Sequence, residues 1–231
     1  MSKQVLLVVV LFMSVVFAND AVKEKSGDKF NGWFVGYEIS AGDEEDKKIF
    51  GAQPLDELTG DRKTEHTLKI GFSSLSSRNA TTGKAYIFIW KAPDCNDEIG
   101  FGLGGEAEFP FGAEDFKFIL GGEAGYGWQP VKGDSVTVST DANKIGYIIG
   151  SSVHYGSYAV KFLDDTAIIR INLKLGVQYG ISDFLKIEAG YKLSYLNYQL
   201  DYLNGGAPSI ANSIDVDNYA HAAYIGVGFF F

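Results

Sequence analysis

The 231-residue chain carries 20 Lys and Arg against 29 Asp and Glu, a formal net charge of −9, which argues against nucleic acid as a partner. A single cysteine, Cys95, excludes an intramolecular disulfide, while 28 glycines and 5 prolines point to many turns or to crowded strands. Beyond the N-terminus no stretch is apolar enough for a membrane helix, which leaves a closed barrel as the only route into a bilayer.

The opening residues, MSKQVLLVVVLFMSVVFAND, place Lys3 ahead of an apolar stretch from Val5 to Ala18 that only Ser14 interrupts. That stretch is shorter than the roughly 20 residues a spanning helix needs. Val16-Phe17-Ala18, followed by polar Asn19, suits a cleavage position, so residues 1–18 read as a cleaved secretory signal peptide. Residues 19–30 then form an N-terminal periplasmic segment and 31–231 a single domain. Removing Lys3 takes the formal charge from −9 to −10.

From residue 31 onward one pattern recurs. In 31–42 Trp33, Val35, Tyr37 and Ile39 oppose Phe34, Gly36, Glu38 and Ser40, the period of two that marks a strand between unlike environments. In 64–74 Leu68, Ile70 and Phe72 oppose Lys69, Gly71 and Ser73. Residues 84–91, KAYIFIWK, are strand-like but apolar on both faces, so their phase stays open. In 98–109 Ile99, Phe101, Leu103, Ala107 and Phe109 face away from Gly100, Gly102, Gly104, Glu106 and Glu108. In 114–128 Phe116, Phe118, Leu120, Ala124, Tyr126 and Trp128 face away from Lys117, Gly121, Glu123, Gly125 and Gly127.

Strand 166–180 sets Ile169, Ile171, Leu173, Leu175, Val177 and Tyr179 against Arg170, Asn172, Lys174, Gly176 and Gln178. After the tight turn Ile181-Ser182-Asp183 the alternation resumes, with Lys186, Glu188, Gly190, Lys192 and Ser194 on the polar face. The chain ends on AYIGVGFFF, whose alternate residues Phe231, Phe229, Val227 and Ile225 are uniformly apolar.

A soluble sandwich also alternates. Against it stand strands of about ten residues or more, the length a tilted strand needs to cross hydrocarbon. Aromatics cluster at strand ends (Trp33, Trp90, Trp128, Tyr179, Tyr195, Phe231), where interfacial girdles belong. The polar face mixes glycine with charges of both signs, which suits a narrow interior. The expected fold is therefore all-β, a transmembrane antiparallel up-and-down barrel.

Short turns belong on the periplasmic side and long loops outside. With the turn at 181–183 periplasmic, strand 114–128 ends outside and 166–180 starts outside. Zero or two crossings lie between them, giving eight strands, or ten as the alternative. Eight is preferred because DSVTVST is short and polar for a lipid-facing strand. DSVTVST and KIGYIIGSSVHYG are then expected to form a hairpin above the membrane.

The signal peptide, the hairpin LGVQYGISDFLKIEAGYKLSY and the C-terminal strand ending on Phe231 together resemble small Gram-negative outer-membrane β-barrels of the OmpA-like and OmpW-like kind. The resemblance covers nearly all of residues 30–231. It implies a bacterial outer-membrane location among lipid and lipopolysaccharide, without a periplasmic domain. It also implies that the aromatic terminal strand, with Phe231, Phe229, Val227 and Ile225, is the signal read by the barrel-insertion machinery.

Gly100-x-Gly102-x-x-Gly105 matches a dinucleotide fingerprint by letter, but EAEFPFG continues the strand where the motif needs a helix N-terminus. Glycines relieving crowding in a small lumen are the better reading. Asn79-Ala80-Thr81 reads as a chance match to a glycosylation acceptor. His66, His154 and His221 read as rim or loop residues, since serines beside His154 say nothing of reach in space. No cofactor or metal ligand set emerges.

The informative set is the inward charge: Glu38, Glu106, Glu108, Glu123 and Glu188 against Lys69, Lys117, Arg170, Lys174, Lys186 and Lys192. Unpaired charges in a narrow interior are costly, so these are expected to pair across the lumen and close it. Surplus negative charge falls in loop 43–63, which with loops 129–165 and 199–216 is the expected surface for an outside ligand. The expected function is a structural or surface-interaction role in the envelope. The alternatives are a small pore for small or hydrophobic solutes and, behind it, an outer-membrane enzyme.

Overall fold

The structure, a computed structural model, describes residues 30–45, 48–49, 53–75, 81–111, 115–131, 136–139, 147–149, 152–154, 157–162, 165–204 and 211–231. The expected signal peptide and the segment at 19–29 lie outside the described residues. In chain order the elements are β1 (Phe30–Glu44), β2 (Lys48–Ile49), β3 (Gln53–Pro54), the short helix α1 (Leu55–Thr59), β4 (Thr64–Leu75), β5 (Thr82–Ala92), β6 (Glu98–Pro110) and β7 (Phe116–Pro130). They continue with β8 (Val136–Ser139), β9 (Tyr147–Ile149), β10 (Ser152–His154), β11 (Ser157–Phe162), β12 (Asp165–Gly180), β13 (Leu185–Asn204) and β14 (Ala211–Phe230). No helix among the described residues is long and apolar enough to cross a membrane.

Eight strands (β1, β4, β5, β6, β7, β12, β13 and β14) pair antiparallel in a ring that β12–β13 closes. The first and last strands meet, with Val35 opposite Phe229 and Ile39 opposite Ile225, and the Phe231 N–H donates to the Trp33 carbonyl at 2.8 Å. Closure leaves no sheet edge along the barrel wall. Of the two strand counts weighed, eight is the one observed.

Because side chains alternate, each strand divides between the two faces. Outward residues include Trp33, Ile70, Phe101, Leu173, Tyr191 and Ile225, all substantially exposed. Inward residues are glycine, charge and a few aromatics, and most are buried. The β12–β13 turn is tied by Ile181 and Ser182 N–H groups donating to the Leu185 carbonyl, and by the Leu185 N–H donating to Ser182 Oγ.

Strand β5, whose phase the alternation leaves open, turns Lys84, Tyr86, Phe88 and Trp90 inward and Ile87 and Ile89 outward. This overturns the placement of Trp90 in an interfacial girdle: it is fully buried in the lumen. The facing glycines are the physical reason. A Cβ on Gly125 would sit 2.6 Å from Trp90 Cζ3, and one on Gly102 would sit 2.6 Å from Phe88 Cζ. Cβ atoms on Gly100 and Gly104 would overlap the Trp90 and Tyr86 rings. The Gly100-Gly102-Gly105 spacing thus belongs to a through-going strand, with Gly100 and Gly102 hollowing space for β5 rings.

A second difference concerns residues 131–164. The sheet continues above the barrel because β13 and β14 are 20 residues each, so their connection is much shorter than the expected 199–216 loop. Strand β11 pairs with the upper end of β13, and β8 pairs with β11. The expected hairpin between DSVTVST and KIGYIIGSSVHYG is therefore replaced by β8–β11, with β9 and β10 pairing separately. Extended β13 offers β11 backbone partners, with Val160, Lys161 and Phe162 opposite Asn204, Leu203 and Tyr202.

Candidate functional site: the lumen and its cap

The lumen is filled in tiers. At the turn end the Phe34 and Phe230 rings stack at 5.5 Å, and Lys186 Nζ lies 4.0 Å from the Phe230 centroid. Above them Lys84 is the hub of three carboxylates: Glu108 at 2.7 Å, Glu106 at 3.2 Å and Glu188. These three Glu residues lie close enough together to hold a metal ion, but the Lys84 ammonium already sits among them. Gln178 Nε2 donates to Glu108 at 2.9 Å and to Glu188 at 3.0 Å. Lys117 reaches Glu108 at 3.5 Å and donates to Thr82 Oγ1 at 2.9 Å.

The middle tier is a lattice of side chains from six strands, β1, β4, β5, β6, β7 and β12. Lys174 bridges Glu38 at 2.6 Å and Glu106 at 2.9 Å. Lys69 bridges the same two carboxylates at 2.7 and 3.3 Å. The Tyr86 hydroxyl lies 2.9 Å from oxygens of both Glu106 and Glu123, and Asn172 Nδ2 donates to Glu123 at 2.7 Å. Higher still, Lys192 joins Glu38 at 3.0 Å to Glu65 at 2.9 Å, and Arg170 pairs with Glu65 while lying 4.1 Å from the Trp90 centroid.

The loop end is closed by the connection between β1 and β4. Arg62 is buried and pairs with Glu44 at 2.6 Å, Glu65 at 3.1 Å and Glu98. Burial alone would lower its pKa; the carboxylates of Glu98 and Glu44 more than offset this and hold it well above the ordinary guanidinium value. Beside it α1 drops Leu55 into an apolar cluster with Ile168, Leu196, Tyr198, Leu200 and Ala220.

Helix α1 ends at Gly60, whose φ of 81° is a left-handed cap that glycine adopts without strain. A side chain there would also press into the β5–β6 turn, with Cβ 2.5 Å from the Asp94 carbonyl. Gln129 Nε2 donates to the Thr59 carbonyl at 2.9 Å and pins the cap to β7. Cys95, in the β5–β6 turn, is buried beneath this cap, and burial pushes its thiol well above the ordinary range.

All eleven charges named from the sequence project into this interior, and ten of them are ion-paired; Lys186 instead lies against Phe230. Four members were missed: Glu65, Lys84, Glu98 and Arg62. Glu65 and Glu98 share the parity of Lys69 and Gly100, so extending the alternation by two steps through Thr67 finds Glu65 and by one step finds Glu98. Lys84 is hidden by the two-sided apolarity of β5, and Arg62 lies in a loop without period.

With these included, the interior set is seven Glu against eight Lys or Arg, all of them buried except Lys117. The interior is nearly balanced although the chain is acidic. Ile225 and Phe229 face outward and exposed on β14, Val227 shares their face, and Phe231 follows the strand. His66 lies on the outer face with Nδ1 2.7 Å from the Tyr37 hydroxyl oxygen, and His221 is outward too. The His154 side chain, its serine neighbours and Asn79-Ala80 lie outside what is described.

No family model matches the chain, and no curated protein matches it. Among solved structures it is similar to the crystal structure of Neisserial surface protein A (NspA), at 12% identity and TM-score 0.42 over 86% of this chain and 97% of that one. It is also similar to the solid-state NMR structure of outer membrane protein AlkL in DMPC lipid bilayers, at 14% identity and TM-score 0.42 over 90% of this chain and 93% of that one.

Proposed function

We propose that the chain is an integral outer-membrane β-barrel whose lumen is sealed by ion pairs, and that it serves envelope structure or surface interaction rather than transport. The observation that carries the membrane reading is the outer wall. On β12 the outward side chains Ile169, Ile171, Leu173, Leu175, Val177 and Tyr179 form an unbroken apolar row. Ten steps of about 3.3 Å, tilted by about 40°, cover about 25 Å, the height of a lipid-facing band.

The row has counterparts around the barrel, and aromatics mark its lower edge, with Trp33 and Phe72 rings 3.8 Å apart and Phe116 and Tyr179 rings 4.8 Å apart. Soluble monomers do not expose so continuous an apolar belt. In this reading the terminal strand carrying Ile225, Val227, Phe229 and Phe231 is what the insertion machinery engages. The loops within 43–63, 129–165 and 199–216 face outside as the surface for a ligand, and residues 1–18 act as a cleaved export signal.

The test is flotation. Full-length protein refolded into phosphatidylcholine vesicles floats with them and gives a heat-modifiable band on electrophoresis. A freely soluble monomer without detergent contradicts the reading. A small pore for hydrophobic solutes is favoured by one feature, the apolar cluster around Leu55 at the loop end. That reading requires α1 to leave and the ion pairs beneath it to part.

A further inference from the structure

A furrow of about 470 Å³ runs obliquely across the outer wall, and it is not part of the lumen. One side follows a single register line through four strand pairs: Leu103, Ala124, Ile171, Tyr195, Tyr219. The other side is the neighbouring line of Gly122, Leu173 and Leu193. Between the lines the floor is backbone, because Glu123, Asn172 and Ala220 turn buried side chains inward. The dent has a cause in the sequence. The other outward residues of β7 are Phe116, Phe118, Leu120, Tyr126, Trp128 and the terminal Pro130, so Gly122 and Ala124 are its two small positions.

The ends of the furrow lie at different depths. Tyr195 and Tyr219, with rings 5.6 Å apart, stand where the outward face of β13 changes from apolar to polar, with outward His221 next below Tyr219 on β14. Immediately above, the Tyr195 hydroxyl donates to Asp217 at 2.5 Å, Asn197 Nδ2 donates to Asp217 at 2.9 Å, and Asp215 is exposed. Leu103, at the far end, lies midway along the apolar run of β6 from Ile99 to Phe109. Four interstrand spacings of about 4.8 Å make the furrow about 19 Å long. An oblique path of that length descends about one leaflet of a hydrocarbon core about 30 Å thick.

We infer that this furrow is a binding site for one acyl chain of an outer-leaflet lipid, entering between Tyr195 and Tyr219 and ending near Leu103. The inference rests on the membrane reading above. The occupant follows from apolar walls, continuity with the lipid-facing belt, and a length that matches one leaflet. The carboxylates and amide at the upper end select a headgroup bearing an ammonium or hydroxyl donor over a purely anionic one.

The experiment uses the full chain refolded in micelles, delipidated, and titrated with palmitoyl-oleoyl phosphatidylethanolamine, with bound lipid counted by native mass spectrometry. Wild type retains one lipid. G122L and A124L, which fill the furrow, lower retention at least fivefold. A189L and A223L, which enlarge small outward residues elsewhere on the wall, leave it unchanged. Each variant is first shown to keep its heat-modifiable mobility, and A124L carries the test if G122L does not refold. Equal retention in all five proteins, or equal loss in the control variants, overturns the furrow. Wild type that floats with vesicles yet retains no lipid overturns the furrow alone, whereas wild type that does not float overturns the membrane reading with it.

Discussion

Lys174 on β12 and Glu38 on β1 are separated by 136 positions in the chain, yet their side chains form an ion pair of 2.6 Å in the centre of the barrel. Glu38 is also the partner of Lys69 and Lys192, so one carboxylate neutralises ammonium groups from three strands. Such a pair forms only once the barrel has closed, because β1 and β12 are not neighbours in the wall.

Removing that carboxylate leaves three buried cations with too few anions. Glu38→Gln is expected to destabilise the barrel by about 3–5 kcal/mol, the usual cost of breaking a buried pair from one side. The double variant Glu38→Gln/Lys174→Met should cost less than the sum of its parts, since the second change removes a stranded charge. Urea unfolding in vesicles, followed by tryptophan fluorescence, measures both.

The ring stack of β5 and the glycines that face it form a volume-matched pair. Gly100→Leu is expected to cost about 1–3 kcal/mol by overpacking against Trp90. Trp90→Ala is expected to cost about 3–5 kcal/mol by leaving a cavity, and it removes the 2.6 Å bond from Trp90 Nε1 to Glu98, leaving that carboxylate to Arg62. Combining the two changes should recover part of the loss. If Gly100→Leu melts at the wild-type temperature, the packing account is wrong.

Arg62 holds the cap by compensating three carboxylates at once. With Arg62→Ala, Glu44, Glu65 and Glu98 repel one another, and α1 loses its latch while Leu55 keeps its apolar site. The expected outcome is faster proteolysis within residues 45–63 on intact vesicles, with the barrel band unchanged on electrophoresis. Unaltered cleavage would show that Leu55 and the Gln129–Thr59 bond suffice.

Cys95 should be slow to react. Its raised thiol pKa lowers the thiolate fraction at neutral pH, and burial blocks approach. Maleimide labelling at pH 7.4 is expected to be at least tenfold slower for the folded barrel than for protein unfolded in urea. Raising the pH by one unit should speed both, because the thiolate fraction rises with pH below the pKa in each state.

How far the sequence could be read depended on whether the two faces of a strand differ. For β12 and β13 one face is aliphatic or aromatic and the other is charged, so orientation, pairing and the short turn all follow from period two. For β5 both faces are apolar, and the inward choice of Tyr86, Phe88 and Trp90 makes sense only beside the glycines of β6 and β7, which requires the register. Trp90 misled for the same reason: a tryptophan near a strand end fits a girdle unless the facing volume is known. Arg62 was illegible because a loop has no period, although it pairs with Glu44, Glu65 and Glu98 at once. The β8–β11 pairing was missed because it depends on how far β13 extends beyond the barrel.

The central claim is that interlocked Glu, Lys and Arg side chains close the lumen. Single-channel recording of the full-length protein in planar bilayers at high salt tests it most directly. The account predicts insertion without steady conductance, apart from rare brief events. A stable ohmic current that scales with salt concentration would mean that ions pass through a hydrated bore, and the sealed interior described here would be wrong.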